Sequence, residues 1–323
     1  MNNQDLLQDW GERYPLPSFP KGWYAVAWAA DISEKEIVNV TLCGKKLVAF
    51  KTEAGDISVL NAHCPHLGAH LGYGGVVEND RIRCPFHSWE FGKCGKCKKT
   101  PFARKPVKAE IKKWYHRVVN GMVVVWYSPD GCEPEWQIEE VDTTGWTDPT
   151  FHQENTWRLR SHIQEVAENG VDTHHFVSVH NANEPGALSD VDFTSHVGRW
   201  VSNSQTEMMG QQVSVIANLS LQGLGLEQVH VNMPEKDLQF RTYIYITPVD
   251  REHIDIRMVI SVKSTGRASK DKTLHRILTP KLVNEIKQDF DIWEHKIYLE
   301  KPRLCPVDGP IHSLRTWAKQ FYQ

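Results

Sequence analysis

Two short segments constrain this chain more than any other feature: Cys64-Pro65-His66 and, seventeen residues later, Cys84-Pro85-Phe86-His87. Together they offer two thiolates and two imidazoles from two loops. A [2Fe–2S] centre in which two His replace two Cys on one iron needs this set, and the imidazoles raise its reduction potential. Each loop supplies one ligand to each iron, so both segments must be present. A Cys2His2 zinc site also uses closely spaced Cys and His. Zinc fingers, however, run Cys with Cys and then His with His, not mixed pairs. The flanks favour the cluster: Gly68, Gly72, Gly74 and Gly75 suit a tight loop, and Trp89 and Phe91 are candidates to shield it.

The sequence around these loops reads as strands. Val38, Val40 and Leu42 alternate with polar residues, Gly44-Lys45-Lys46 turns, and Leu47-Val48-Ala49-Phe50 follows. Gly55-Asp56 turns again into Ile57-Ser58-Val59-Leu60, and the last apolar run is Met122–Tyr127. The polar, Pro- and Gly-containing stretch at 128–150 reads as a linker. Beyond it the pattern predicts a helix over roughly 160–177, a loop at 181–197, strands over about 195–262 and a helix from Pro280 to Tyr298. The predicted organisation is 1–130 as an N-terminal segment with the cluster domain, 131–150 as linker and 151–323 as a second domain. At 323 residues, two domains are the natural expectation.

A formal net charge of −3 gives no broad basic field, so nucleic acid is not the expected partner. Seven cysteines, an odd number, argue against a secreted disulfide framework. The first twenty residues lack the basic start and apolar run of a signal peptide, and no stretch approaches the ~18 apolar residues of a membrane span. The expected compartment is the cytoplasm.

A second constellation lies at 168–180, with Asn169, Asp172, His174, His175 and His180. Two His and one carboxylate on a single iron form the facial triad of non-haem Fe(II) oxygenases, which leaves positions open for O2. On a helix Asp172 and His175 are i and i+3 and share a face, with Asn169 one step further back. His174 points elsewhere, and His180 lies where the chain can curl back. For the carboxylate, the C-terminal helix offers Asp289, Asp291 and Glu294. Val283, Ile286, Phe290, Trp293 and Ile297 mark its buried stripe. Asp291 falls on the polar face, while Asp289 and Glu294 both border the stripe. A carboxylate at an apolar edge is costly unless paired or metal-bound, and Asp289 is the chosen residue.

Over nearly its whole length the chain resembles the oxygenase (alpha) component of Rieske non-haem iron oxygenases. It most resembles the branch holding bacterial 3-ketosteroid 9-alpha-hydroxylases and animal cholesterol 7-desaturases. The likeness is carried by CPHLGAHLGYGG (64–75), CPFHSWEFGKCGKCKKTPFA (84–103), NGVDTHHFVSVH (169–180), the tail QDFDIWEHKIY, DGPI and the final WAKQFYQ. The resemblance implies an α+β chain: an N-terminal all-β Rieske [2Fe–2S] domain, then a helix-grip (START-like) domain with a curved antiparallel sheet around a C-terminal helix. It implies Cys64, His66, Cys84 and His87 as cluster ligands and His175, His180 and Asp289 as ligands of a mononuclear Fe(II). Asp172 would be the carboxylate bridging subunits for electron transfer, and Asn169 a residue beside the iron. In this family the two metals of one chain are too far apart for fast transfer, and a homotrimer sets one subunit's cluster beside the next subunit's iron. A separate ferredoxin-type reductase passes electrons from NAD(P)H. The implied reaction is O2-dependent hydroxylation or desaturation of a bulky apolar, steroid-like substrate.

Two alternatives are carried alongside. One is an oxygenase acting on an aromatic or natural-product substrate by hydroxylation or demethylation. The other is a Rieske electron carrier fused to a lipid-binding domain that holds no metal. Cys94-Gly95-Lys96-Cys97 reads as a surface turn with idle thiols, and Lys93, Lys96, Lys98 and Lys99 as a solvated face and a candidate reductase dock. The chain shows no GxGxxG, so NAD(P)H is expected on another protein.

Overall fold

The computed structural model describes residues 13–16, 19–34, 36–101, 103–147, 155–208, 210–305 and 307–322. Residues 1–12, the end of the expected linker (148–150) and the start of the expected second domain (151–154) lie outside them. The chain forms two compact units. One comprises residues 23–141; the other comprises residues from 142 onward together with those before 23.

The first unit is all-β. Its strands are β1 (Gly22–Trp28), β2 (Ile37–Leu42), β3 (Lys45–Lys51), β4 (Ile57–Asn61), β5 (Val76–Glu78), β6 (Arg81–Arg83), β7 (Glu90–Gly92), β8 (Cys97–Lys99), β9 (His116–Val119) and β10 (Met122–Tyr127). They make three small sheets, ordered β1-β10-β9, β2-β3-β4 and β5-β6-β7-β8. All six residues of β10 are buried, and each such apolar side chain contributes roughly 1.5–3 kcal/mol. Val48, Phe50, Leu60, Leu71, Val77, Ile82 and Phe91 close a core that also takes in Cys64 and Cys84. The cluster loops therefore hang from a packed scaffold. The sequence-predicted linker does not leave the unit at once: Ile138 is buried, and Trp136 meets Trp126 edge-on with ring centroids 4.6 Å apart.

The second unit is built on a seven-stranded antiparallel sheet ordered β11-β17-β16-β15-β14-β13-β12. These strands are β11 (Thr156–Leu159), β12 (Ala187–Asp192), β13 (Val197–Met208), β14 (Gln211–Gln222), β15 (Leu226–Met233), β16 (Leu238–Pro248) and β17 (Ile254–Val262). Its helices are α1 (Ile163–Asn169), α2 (His175–Ser178), α3 (Ala268–Gln288), α4 (Phe290–His295) and α5 (Ile311–Ala318). One sheet face carries Val213, Val231, Met233, Phe240 and Val262, and Leu274, Leu278 and Leu282 of α3 pack onto it. This is the α+β arrangement that the sequence predicts.

Several details differ from expectation. The predicted helix over 160–177 is two helices, because residues 170–174 leave the helical path. Gly170 sits where a Cβ would lie 2.8 Å from Glu227 Oε1 and 3.0 Å from the Trp200 ring. The predicted Pro280–Tyr298 helix is also two helices, and the first begins twelve residues earlier. Pro280 lies inside α3; its lost backbone donor marks a helix start in sequence, but here the ring is accommodated mid-helix. The stripe ends at Trp293, since Ile297 is 54% exposed. The predicted loop at 181–197 contains the edge strand β12, paired with β13. Among the described residues, no helix is long and apolar enough to cross a membrane.

Candidate metal centres

The two cluster loops are near-copies of one another. The Cys64 amide donates to Ala69 O and the Gly68 amide to Cys64 O; likewise the Cys84 amide donates to Trp89 O and the Ser88 amide to Cys84 O. Gly68 (φ 77°) and Ser88 (φ 56°) hold the matching left-handed position, which closes each loop. Both cysteines are buried at 2% exposure. Burial pushes the Cys64 thiol up to about 11, with the neighbouring Cys84 adding to the rise against the His66 backbone amide that hydrogen-bonds it. Two thiols crowded in an apolar core are a poor arrangement unless deprotonated onto metal. His66 and His87 face one another with ring centroids 4.5 Å apart. His66 Nδ1 is buried without a hydrogen-bond partner. An orphaned imidazole nitrogen beside two buried thiols fits a [2Fe–2S] cluster. Trp89 stacks on His66 at 4.5 Å and 7°, as expected of a shield, whereas Phe91 belongs to the core beneath. Leu67, Phe86 and Tyr73 stay 61–71% exposed around the histidine edge.

The turn at 93–94 is present; Cys94 and Cys97 are both half-buried, Cys97 against the edge of the same core. Of the lysine run, Lys93 pairs with Asp56 and Lys99 with Glu90; Lys96 and Lys98 are exposed.

In the second unit His175, His180 and Asp289 offer ligand atoms that all lie within 4.8 Å of one another. His175 opens α2. His180 follows in a continuing turn, its amide donating to Phe176 O, and Asn181 (φ 57°) ends that turn. Asp289 is the single residue between α3 and α4. Its dihedrals stay helical (φ −80°, ψ −20°) and its carbonyl accepts from the Trp293 amide, so Asp289 shares the inward face of Ile286 and Trp293 at 4% exposure. Its Oδ2 lies 3.3 Å from His180 Nε2. Glu294 points elsewhere and accepts from the Arg160 amide; Asp291 is exposed.

Two side-chain amides orient the imidazoles. Gln288 Oε1 accepts only, so at 2.9 Å from His180 Nδ1 it requires the proton there. Asn169 Nδ2 donates only, so at 3.1 Å from His175 Nε2 it requires a bare nitrogen there. Both rings turn Nε2 toward Asp289, with Asn169 donating to His175 Nε2 and to Asp289 Oδ2 at 3.3 Å and His180 Nε2 3.3 Å from the same oxygen. Burial lowers the His175 pKa, which keeps that ring neutral. For His180 burial acts the same way, but the hydrogen bonds to Asp289 and Gln288 win and raise it. Two imidazole Nε2 atoms and a buried carboxylate fit a mononuclear Fe(II), which would replace the hydrogen bonds among them.

Asp172 lies outside any helix, so the predicted i,i+3 helical relation is not what brings it to His175. The residue is nonetheless close, its Oδ2 3.9 Å from the buried, unpartnered His175 Nδ1. His174 is exposed. Gln288 and Glu227 near this centre were not found from sequence. Gln288 sits beside the chosen aspartate, a positional hint; Glu227 gives none without the strand register.

Residues 22–116 match the Rieske [2Fe–2S] domain model, and residues 125–322 match the 3-ketosteroid 9alpha-hydroxylase C-terminal domain model. The oxygenase component of 3-ketosteroid-9-alpha-monooxygenase from Rhodococcus rhodochrous is 30% identical, covering 94% of this chain and 84% of that protein. Cholesterol 7-desaturase from Xenopus laevis is also 30% identical, covering 95% of this chain and 72% of that protein. The crystal structure of dicamba monooxygenase bound to dicamba superposes with a TM-score of 0.77 at 17% identity, over 95% of this chain and 98% of that one. These matches define a Rieske non-haem iron oxygenase, with a [2Fe–2S] cluster and a mononuclear iron as its cofactors and a separate reductase as its electron source. Within that class the chain belongs to the 3-ketosteroid 9-alpha-hydroxylase family.

Proposed function

We propose that the protein hydroxylates or desaturates a bulky apolar substrate of the steroid class, as a cytoplasmic homotrimer served by an NAD(P)H-dependent ferredoxin-type reductase. The observation that carries this is the convergence of His175, His180 and Asp289 in a chain that also holds the paired Cys64/His66 and Cys84/His87 loops. The names of the relatives support the substrate class. The same convergence speaks against an electron carrier with a metal-free lipid-binding domain.

In this reading Cys64, His66, Cys84 and His87 hold the cluster, and His175, His180 and Asp289 hold the iron. The cluster supplies single electrons and the iron supplies O2 activation, with the organic oxidation proper to the metal. The protein's own part is positioning. Gln288 fixes the His180 tautomer, and Asn169 holds His175 against Asp289. Asp172, 43% exposed at its side chain and 3.9 Å from His175 Nδ1, would need a small side-chain turn to accept a hydrogen bond from that nitrogen, and its exposure leaves it free to reach a cluster histidine of a neighbouring subunit. The exposed Leu67, Tyr73 and Phe86 around the histidine edge would be covered in that contact. The apolar inner face of the sheet excludes water from the substrate.

The test is turnover with a ferredoxin-type reductase, NADH and O2, offering cholest-4-en-3-one, cholesterol and an aromatic ether. A sterol product gaining one oxygen or losing two hydrogens supports the proposal. Turnover of the aromatic ether alone refutes the substrate class. Size measurement at micromolar concentration should give three times the chain mass. Gln288→Leu should weaken Fe(II) binding by about 10–100-fold, the usual cost of losing a partner behind a metal-bound His; titration of iron-free protein with Fe(II) measures it.

A further inference from the structure

Strand register places one ionisable side chain on an otherwise apolar surface. Trp200, Leu219, Val229, Thr242 and Ile260 lie opposite one another across β13 to β17 and so share a face. Stepping by two along each strand, that face carries Val213, Val215 and Ala217 on β14 and Val231 and Met233 on β15. It carries Phe240 and Ile244 on β16, and Met258 and Val262 on β17. Over β14–β17 its only ionisable residue is Glu227, opposite Leu221 and Ile244.

The face is packed unevenly. At one end α3 covers Val213, Val231, Met233, Phe240 and Val262. In the middle Val215, Ala217 and Val229 remain half-exposed, an apolar strip without a full cover among the described residues. Glu227 stands at the other end of that strip. Its carboxyl packs against Gly170, the residue after Asn169, and beside Trp200, whose indole donates to Gly170 O at 3.0 Å. Glu227 is 6% exposed, and among the described residues its carboxyl makes no hydrogen bond and no ion pair. A carboxyl buried this far with no partner is costly and calls for an account. Burial, with the charge of Asp289 adding to it, pushes this group up to about 8. As a neutral acid it can both donate and accept a hydrogen bond.

We propose that Glu227 is the polar anchor of the substrate pocket, hydrogen-bonding an oxygen atom of the apolar substrate and so fixing which carbon faces His175, His180 and Asp289. This rests on the steroid-class reading above. It deepens that reading by naming one residue that selects oxygenated over hydrocarbon ring systems and sets the register of the bound molecule.

Binding is measured without turnover, by tryptophan fluorescence of anaerobic protein with cholest-4-en-3-one, cholesterol and the oxygen-free hydrocarbon cholestane. Wild type should bind the two oxygenated sterols about five- to tenfold more tightly than cholestane, the worth of one net hydrogen bond. Glu227→Gln, close in shape and still able to donate, should keep that preference. Glu227→Leu should bind all three alike. An unchanged preference in Glu227→Leu overturns the anchor while leaving the steroid reading standing. Failure of wild type to bind any of the three overturns both. Should Glu227→Leu not fold, the carbonyl stretch of bound cholest-4-en-3-one decides. A stretch at the same frequency in wild type and Glu227→Gln, unshifted from that in hydrocarbon solvent, overturns the anchor. A lowered stretch in wild type that moves in Glu227→Gln sustains it.

Discussion

Replacing His175 by Ala is expected to lower bound iron from about three per chain to about two, while the reduced Rieske EPR signal is kept in full. Asp289→Ala should do the same. The reason is geometric: three ligand atoms within 4.8 Å of one another make the site, and removing one leaves two donors, too few to hold Fe(II) against water. Substrate oxidation should fall to background in both variants. Glu294→Ala is the control, because Glu294 also bordered the predicted apolar stripe but its carboxylate accepts from the Arg160 amide instead. It should keep three irons. Iron loss from Glu294→Ala together with retention in Asp289→Ala would move the carboxylate assignment. Two irons per chain in wild type, unchanged by any of these substitutions, would remove the mononuclear centre altogether.

That control reflects how far the sequence could be read. The cluster loops were legible because each is local. Cysteine, histidine and loop closure fall within six residues in each loop, so spacing alone carries the geometry, although Trp89 stacks on His66 of the other loop. His175 and His180 were legible for the same reason. The aspartate was harder. A helical wheel drawn through Pro280–Tyr298 put both Asp289 and Glu294 on the edge of a stripe, and the structure buries Asp289 with Ile286 and Trp293 along helical backbone. The wheel alone could not choose between the two, because the contact of Glu294 with the Arg160 amide is made across 134 positions. Asp172 shows a substitution of cause, since it nears His175 from irregular backbone and not from a shared helical face. Strand β12 was invisible because Ala187–Asp192 is mostly exposed and lacks the alternation that marks a half-buried strand. Glu227 and Gln288 depend on partners 57 and 108 positions away, Gly170 and His180, and no local pattern encodes such pairings.

Arg315→Met is expected to destabilise the second unit by roughly 3–5 kcal/mol, the usual penalty for leaving one member of a buried ion pair alone. Arg315 Nε and Nη2 hold both oxygens of Glu168, at 2.9 and 2.7 Å, and Glu168 is 6% exposed. The guanidinium also donates to Leu299 O and lies over the Tyr298 ring at 4.2 Å. One side chain thereby ties α5 and the segment after α4 to the last turn of α1. Methionine fills similar volume but leaves the Glu168 carboxylate without a charged partner, with only the neutral donors Gln164 Nε2 and the Tyr298 hydroxyl beside it. Calorimetry should show the melting temperature falling by about 10 °C, given ~2–4 °C per kcal/mol for a unit of this size. Adding Glu168→Gln should recover a large part of the loss, because the stranded charge goes with it. Glu168 immediately precedes Asn169, so the same variant should also loosen the amide that spans His175 and Asp289. Fe(II) affinity should therefore drop with Arg315→Met and return with the double substitution. A melting temperature within 2 °C of wild type would mean that Glu168 finds water or another cation, and that apolar packing alone fixes α5 on α1.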